Sequence, residues 1–354
     1  MQRRQFAIGM GSAALGASLS GLARADAQGI GAPAVQQAWA AAMGPLAPKL
    51  GRADALLVQR NGQTVFEAYG KDHGATVRHI SWSMAKSITH ALVGCAVAQG
   101  QVDIDKPLLL DPRLTLRALI TLTDGLKWND SGPSVVEADA TRLLYGPGRM
   151  DGAAYVVARP QEVAPGTRWN YSTGAFQLAA AELCARLFPQ ATRPDDKRAA
   201  MAGWMRTSLF EPVGMTSAIA EFDPAGTFYG GSLVYATARD YARFGEFYRA
   251  DGMAAGRRIL PEGWVKFART PTRTPVYGAG FWLEANRHRP DRSLMDGKGP
   301  LDAFSAQGHA GQIILIVPSK ALTVVRLALM EETDANWATL GDWLAPIANA
   351  FPNV

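Results

Sequence analysis

A chain of 354 residues with 48% hydrophobic and 19% charged residues can bury a large core and is too apolar to be disordered. Its net charge of +5 drops to +2 once Arg3, Arg4 and Arg24 of the leader are set aside, and no basic run or basic–aromatic ladder follows, which argues against a nucleic-acid partner. Beyond the leader no segment stays apolar for the ~18 residues that a membrane span needs.

The leader comes first. Met1-Gln2-Arg3-Arg4-Gln5-Phe6 is a charged start with paired arginines, and Ala7 to Leu22 is an uncharged stretch of small and apolar residues. Ala23-Arg24-Ala25 and Ala25-Asp26-Ala27 both fit a small-residue cleavage site. Arg-Arg-x-Phe ahead of a mildly apolar, Gly/Ala-rich segment is the twin-arginine pattern. Residues 1–25 are therefore expected to be an export signal and the mature protein to be periplasmic, with no membrane span once the signal is cut. Exchanging Arg3 and Arg4 for lysine should hold the protein in the cytoplasm. Export of the double variant at the wild-type level, measured by cell fractionation, would reject the twin-arginine reading.

The mature chain opens with an Ala-rich, helix-like stretch over residues 33–48. Residues 55–60 and 63–69 read as strands joined by Asn61-Gly62, a dipeptide suited to the positive φ angles of a two-residue hairpin. Ile80 to Leu92 follows, with Ser83 and Lys86 three apart. Downstream, Ile88, Leu92 and Cys95 at i, i+4 and i+7 predict a buried helix that Gly100 ends. Residues 118–122, 136–145, 151–158, 175–187 and 199–209 read as helices. A polar loop runs through 128–133, a Pro-Gly turn covers 165–174, and a tight turn covers 229–232. Thr237 is placed to cap a helix over 238–244. Residues 277–283, 312–317 and 322–327 read as strands, and 334–350 as a closing helix. Strands from both ends with helices between them predict an α+β fold: one antiparallel sheet flanked by helices. The expected organisation is a single domain over 33–354 with a helical subdomain at roughly 100–225. Cys95 and Cys184 both fall in apolar helical patterns, which predicts two buried thiols, and without nearby paired histidines they form no zinc site.

On a helix, residues three apart share a face, so Ser83 and Lys86 pair a hydroxyl with a candidate proton acceptor near the positive end of the helix dipole. Tyr171 follows the Pro-Gly turn, where a side chain can project into a cleft. An adjacent ammonium favours a phenolate, so Lys86 is expected to lower its pKa. Small residues surround His309 ahead of the strand that begins at Gln312. Glycine permits close backbone approach, and the amide after Gly311 is a candidate oxyanion donor.

Ser83-x-x-Lys86, Tyr171-Ser172-Thr173 and His309-Ala310-Gly311 come in the order found in the serine β-lactamase and penicillin-recognising superfamily, which the chain resembles. The branch is similar to class C β-lactamases, related esterases and D-aminopeptidases, and above all to the 6-aminohexanoate-dimer hydrolase group. Flanking runs 121–128, 238–245 and 259–265 share the likeness, which covers roughly residues 50–330. The resemblance implies a β-lactamase-like fold, Ser83 as nucleophile, and Lys86 and Tyr171 as the proton carriers. It also implies an oxyanion hole of the Ser83 and Gln312 amides, His309 and Gly311 in the third motif, and no metal or cofactor. Thr173 replaces the usual Asn and His309 the usual Lys, which turns the expectation from penicillins and D,D-peptides toward carboxylic esters or small linear amides. A β-lactamase, a D,D-peptidase or D-aminopeptidase, or a non-catalytic binding module of the same fold are the alternatives. Thr173, Trp128, Tyr229 and Trp282 are candidate substrate contacts. The expected partner is a small ester or amide.

Overall fold

The computed structural model describes residues 31–284 and 293–354. The leader predicted over 1–25 lies outside the described residues. Helices α1 (Ala32–Met43) and α2 (Ala47–Leu50) lead into β1 (Arg52–Arg60) and β2 (Gln63–Tyr69). Asn61 and Gly62 join the two strands with φ of 49° and 73°, the two positive values that the hairpin needs. Then come β3 (His79–Ile80), α3 (Met84–Ala98), α4 (Leu116–Ile120), α5 (Asp139–Leu144), α6 (Gly152–Val157), α7 (Thr173–Leu187), α8 (Pro194–Met205) and α9 (Glu211–Val213). A short sheet is completed by β4 (Ile219–Ala220) and β5 (Val234–Ala236), followed by α10 (Ala238–Arg249), a small hairpin of β6 (Met253–Ala254) and β7 (Arg257–Arg258), and α11 (Trp264–Ala268). The chain closes with β8 (Trp282–Leu283), β9 (Phe304–Gly308), β10 (Gln312–Val317), β11 (Leu322–Leu329) and α12 (Asp334–Asn349).

The main sheet is antiparallel in the order β2-β1-β11-β10-β9-β8, so the first long strand lies against the last. Both faces are covered, which is why its central strands read as continuous apolar runs. Leu56, Val58, Ile313, Leu315 and Val324 face α1 and α12, packing on Val35, Leu340, Trp343 and Leu344. Ala55, Leu57, Ile314, Ile316 and Val325 face the larger core built around α3 and α7. Nearly every residue of α3 is buried, and its buried polar side chains Lys86, Ser87, Thr89 and His90 all find hydrogen-bond partners. Ile88 and Leu92 are fully buried, each worth about 1.5–3 kcal/mol of transfer free energy. Gly100, at φ 68°, stops the helix. Thr237 caps α10 by accepting a hydrogen bond from the Asp240 amide, as its position predicted. Cys95 and Cys184 are free, buried thiols.

The helix expected over 118–122 is Leu116–Ile120, the stretch over 33–48 is split into α1 and α2, and three further elements differ. The helix expected over 136–145 starts only at Asp139. The segment expected to be helical over 199–209 is α8, which begins five residues earlier and ends in a π-helical turn over Arg206–Phe210. The strand expected over 277–283 is reduced to Trp282–Leu283, because Gly280 takes φ 71° and turns the chain before it. Among the described residues no helix is long and apolar enough to cross a membrane.

Candidate active site

Between α3, α7 and the β9 edge of the sheet lies a cleft of about 650 Å³. Its floor begins at Ser81. The Ser81 backbone donates to the Val234 carbonyl, and its hydroxyl accepts from the Val234 amide and lies within bonding distance of the Ser232 carbonyl. Trp82 follows at φ 44°, an unusual conformation for a bulky residue. Its indole stands edge-on to His309 at 5.3 Å. The backbone then enters α3, placing Ser83 at the helix start and Lys86 one turn on.

Lys86 is buried, and its ammonium donates to Ser83 Oγ at 2.9 Å, Thr173 Oγ1 at 3.0 Å and the Gly231 carbonyl at 3.0 Å. Burial lowers its pKa to about 8, against an opposing pull from Asp130. Tyr171 reaches the same point from the turn before α7. Lys86 Nζ lies 4.7 Å from its ring centre, and Trp282 stacks on the ring at 5.4 Å. Burial pushes the phenol well above its ordinary pKa, and Asp130 adds to this, while a hydrogen bond with Ser83 acts in the opposite sense. The sequence-based expectation that Lys86 makes Tyr171 more acidic is therefore reversed: desolvation outweighs the neighbouring charge.

Asp130 organises the wall behind Lys86, a role that sequence reasoning missed. Its Oδ1 accepts from the Trp128 indole at 2.8 Å and the Thr173 amide at 2.6 Å, and its Oδ2 accepts from the Thr173 hydroxyl at 3.2 Å. Thr173 thus donates to Asp130 while accepting from Lys86, so a carboxylate holds the Lys86 amine through one hydroxyl. The only signal in sequence was a polar loop containing an acid.

The remaining candidates divide. Trp282 and Thr173 line the cleft. Trp128 does not: its ring is buried against Gly174, where a Cβ would come within 2.6 Å of the indole. Tyr229 is also packed in the interior, its hydroxyl donating to the Arg149 carbonyl. Both were candidates for the pocket wall with core packing as the other reading, and both are core residues. His309 lines the cleft and meets Glu332, Nδ1 to Oε2 at 2.5 Å, which raises the imidazole pKa. Gly311 turns away from the cleft. Its carbonyl accepts from the buried Arg326, whose guanidinium would meet any Cβ there at 2.3 Å.

Gln312 is corrected as well. It lies on β10, paired with Gly308 of β9, and its side chain binds both the amide and the carbonyl of Ala328. The edge strand beside Ser83 is β9, which ends before His309 rather than starting after Gly311. The Ala303 carbonyl accepts from Glu284 on the β8 side. Backbone groups alternate along a strand, so Ser305 and Gln307 face that same side. Because β8 pairs only with Phe304 and Ser305, the Gln307 amide lies beyond its end, on the uncovered edge. Gly308 is pressed against the Ser81 carbonyl, 2.3 Å from where a Cβ would sit, which keeps this edge close to Ser83.

Among the described residues lining the cleft, Asp130, Glu332 and His309 are engaged as described, and none is an arginine. Beyond Ser83, Tyr171 and Trp282, the walls include Val135 and Tyr145, exposed by 76% and 63% at the rim. Among the described residues the cleft holds no converging set of metal donors; the one such set lies elsewhere.

An antiparallel sheet with a buried helix delivering Ser-x-x-Lys to a cleft, and a tyrosine meeting it from the turn before a second helix, defines a hydrolase scaffold of the β-lactamase type. The Beta-lactamase family model matches residues 47–341, and the chain belongs to that family. A 6-aminohexanoate-dimer hydrolase of Paenarthrobacter ureafaciens is 26% identical over 229 residues, which is 60% of this chain. The match spans 56% of that relative's length. A solved structure from Bacillus anthracis, provisionally named a 6-aminohexanoate-dimer hydrolase, superposes with a TM-score of 0.69 at 19% identity, covering 87% of this chain and 81% of its own. A family VIII carboxylesterase does so with a TM-score of 0.65 at 13% identity, covering 91% and 98%. These structures share the β-lactamase-like fold.

Proposed function

We propose that this protein is a serine hydrolase that cleaves carboxylic esters or small linear amides through an acyl-enzyme on Ser83. The observation that carries this reading is the buried Lys86 amine held 2.9 Å from Ser83 Oγ. Deprotonated Lys86 takes the Ser83 proton as Oγ attacks the carbonyl carbon. The neutral Tyr171 phenol gives its proton to the leaving group and is refilled from Lys86. The Ser83 amide and the Gln307 or His309 amide on the uncovered β9 edge hold the developing oxyanion. Water then attacks the acyl carbon, the same groups carry its proton, and the carboxylic acid leaves. The resemblance of the curated relative favours an amide and that of the carboxylesterase an ester. Thr173 and His309 stand where penicillin-type enzymes usually carry Asn and Lys, and Asp130 and Glu332 place two carboxylates in the cleft, which disfavours penicillins and D,D-peptides. The leader would put this activity in the periplasm.

The test is a panel of p-nitrophenyl esters, aminohexanoate oligomers, D-Ala-D-Ala peptides and nitrocefin, with mass spectrometry for the acyl-enzyme. Ester or linear-amide turnover with an acyl adduct on Ser83 is expected. Turnover confined to nitrocefin or D-Ala-D-Ala peptides would overturn the substrate reading.

The pH dependence follows from Lys86. Its neutral form is the active one, so kcat/KM should rise with pH through about 8, the value to which burial brings it. Asp130 pulls that pKa up, so Asp130→Asn should move the rising limb to lower pH, whatever it costs in absolute rate. A limb that stays in place or moves upward in Asp130→Asn contradicts Lys86 as the titrating base.

A further inference from the structure

At the start of β1, three side chains converge that the hydrolytic mechanism does not use. Asp54 lies in β1, His73 in the connection after β2, and His79 opens β3. One donor atom from each falls within 4.8 Å of the other two. His73 Nε2 is 3.1 Å from Asp54 Oδ1, and His79 Nδ1 is 4.0 Å from Oδ2. All three are secluded, with side-chain exposures of 16%, 7% and 6% for His73, His79 and Asp54. The second ring nitrogens, His73 Nδ1 and His79 Nε2, are buried without a hydrogen-bond partner. The nitrogens turned toward the carboxylate are the other two, His73 Nε2 and His79 Nδ1, which with an Asp54 oxygen make three converging donors.

We propose that Asp54, His73 and His79 form a binding site for a zinc-class divalent cation, outside the hydrolytic cleft. Two imidazoles and a carboxylate are a known donor set for Zn²⁺, with a water in the fourth position. Geometry agrees. Imidazoles that share one tetrahedral Zn²⁺ at ~2.0–2.1 Å have ring centres about 5 Å apart. The His73 and His79 centres are 5.1 Å apart. Small rotations about the side-chain bonds bring the three donors onto one ion. The adverse element is Arg52, whose guanidinium bonds Asp54 Oδ1 at 2.6 Å and Oδ2 at 3.2 Å. Its side chain is 59% exposed, however, and can leave for solvent at small cost. The buried Arg326 directs its donors to the carbonyls of Gly311 and Leu50 rather than to Asp54. A bound ion would tie the main sheet to the strand that delivers Ser83, since His79 precedes Ser83 by four residues.

The experiment uses the full mature chain, stripped with a chelator and dialysed. Zn²⁺ is titrated by calorimetry, and Co²⁺ is titrated as a spectroscopic probe. One equivalent should bind, with Co²⁺ giving the visible absorption of a four-coordinate nitrogen–oxygen site, and Zn²⁺ should raise Tm. His73→Gln, at the most exposed of the three side chains, should weaken binding by 10-fold or more. Arg52→Met, which removes the competing cation, should tighten it. Ser83→Ala should bind as wild type, which separates this site from the cleft and from the hydrolase assignment. Absence of saturable one-equivalent binding, or an affinity unchanged in His73→Gln, would overturn the proposal.

Discussion

Ser83→Ala should abolish both turnover and labelling by a fluorophosphonate probe. Loss of a serine nucleophile typically costs on the order of 10⁶-fold in kcat, leaving only what binding and an oxyanion hole supply. The variant should fold normally, because Lys86 Nζ keeps two of its three acceptors, Thr173 Oγ1 and the Gly231 carbonyl. An unchanged Tm would establish this. The geometry also says which serines should stay silent. The Ser81 hydroxyl is held between the Val234 amide and backbone carbonyls. The Ser87 hydroxyl is buried and donates to the Gly280 carbonyl at 2.6 Å. Neither has a proton acceptor positioned to activate it. A probe adduct mapped to Ser81, Ser87 or the cleft-lining Ser232 would reject the assignment.

Tyr171→Phe should lower kcat by about 10²–10⁴-fold, the usual contribution of a positioned acid–base group. KM should stay within a few-fold, because the ring keeps its packing on Trp282 at 5.4 Å and Tyr277 at 6.1 Å. What goes is the oxygen that carries a proton to the leaving group. An ester with a very good leaving group should therefore suffer less than an amide, whose nitrogen must be protonated. Lys86→Ala should cost at least as much, since it removes the group that accepts the Ser83 proton. The double variant should lose far less than the product of the two, because groups on one proton path are not additive. Near wild-type kcat in Tyr171→Phe on both substrate types would remove the phenol from the mechanism.

Much of the frame was legible in the chain. The Asn61-Gly62 turn, the stripe from Ile88 to Cys95 with its stop at Gly100, and the Thr237 cap are local patterns, and local patterns survive into the fold. Ser83 and Lys86 meet because one helical turn joins them, so their spacing alone predicted it. The edge strand was less visible. Phe304-Ser305-Ala306-Gln307-Gly308 has one large apolar residue and a terminal glycine, too weak a pattern to announce a strand. That miss moved the inferred oxyanion donor to Gln312, one strand too far in. Asp130 was hidden for another reason: its link to Lys86 runs through Thr173, 43 residues away, and no periodicity encodes it. The acidity of Tyr171 was misjudged because sequence shows which charge stands nearby but not how much water has been removed. Trp128 and Tyr229 could be read as pocket wall or as core packing, and the fold puts both in the core.

The contact between Gly308 and the Ser81 carbonyl has a bearing on how this scaffold can diversify. Two segments more than two hundred residues apart touch there backbone to backbone, and even a methyl group has no room between them. That seam is a fixed jaw. Any side chain introduced at position 308 would pry the nucleophile's turn from the strand edge, so new substrates are not accommodated by remodelling this side. The opposite jaw is built differently: Val135 and Tyr145 stand at the rim with most of their surface in solvent, and few neighbours must move when they change. Selection for a longer, shorter or bulkier acyl chain would then leave its record in the segment from Val135 to Tyr145, while the seam stays as it is.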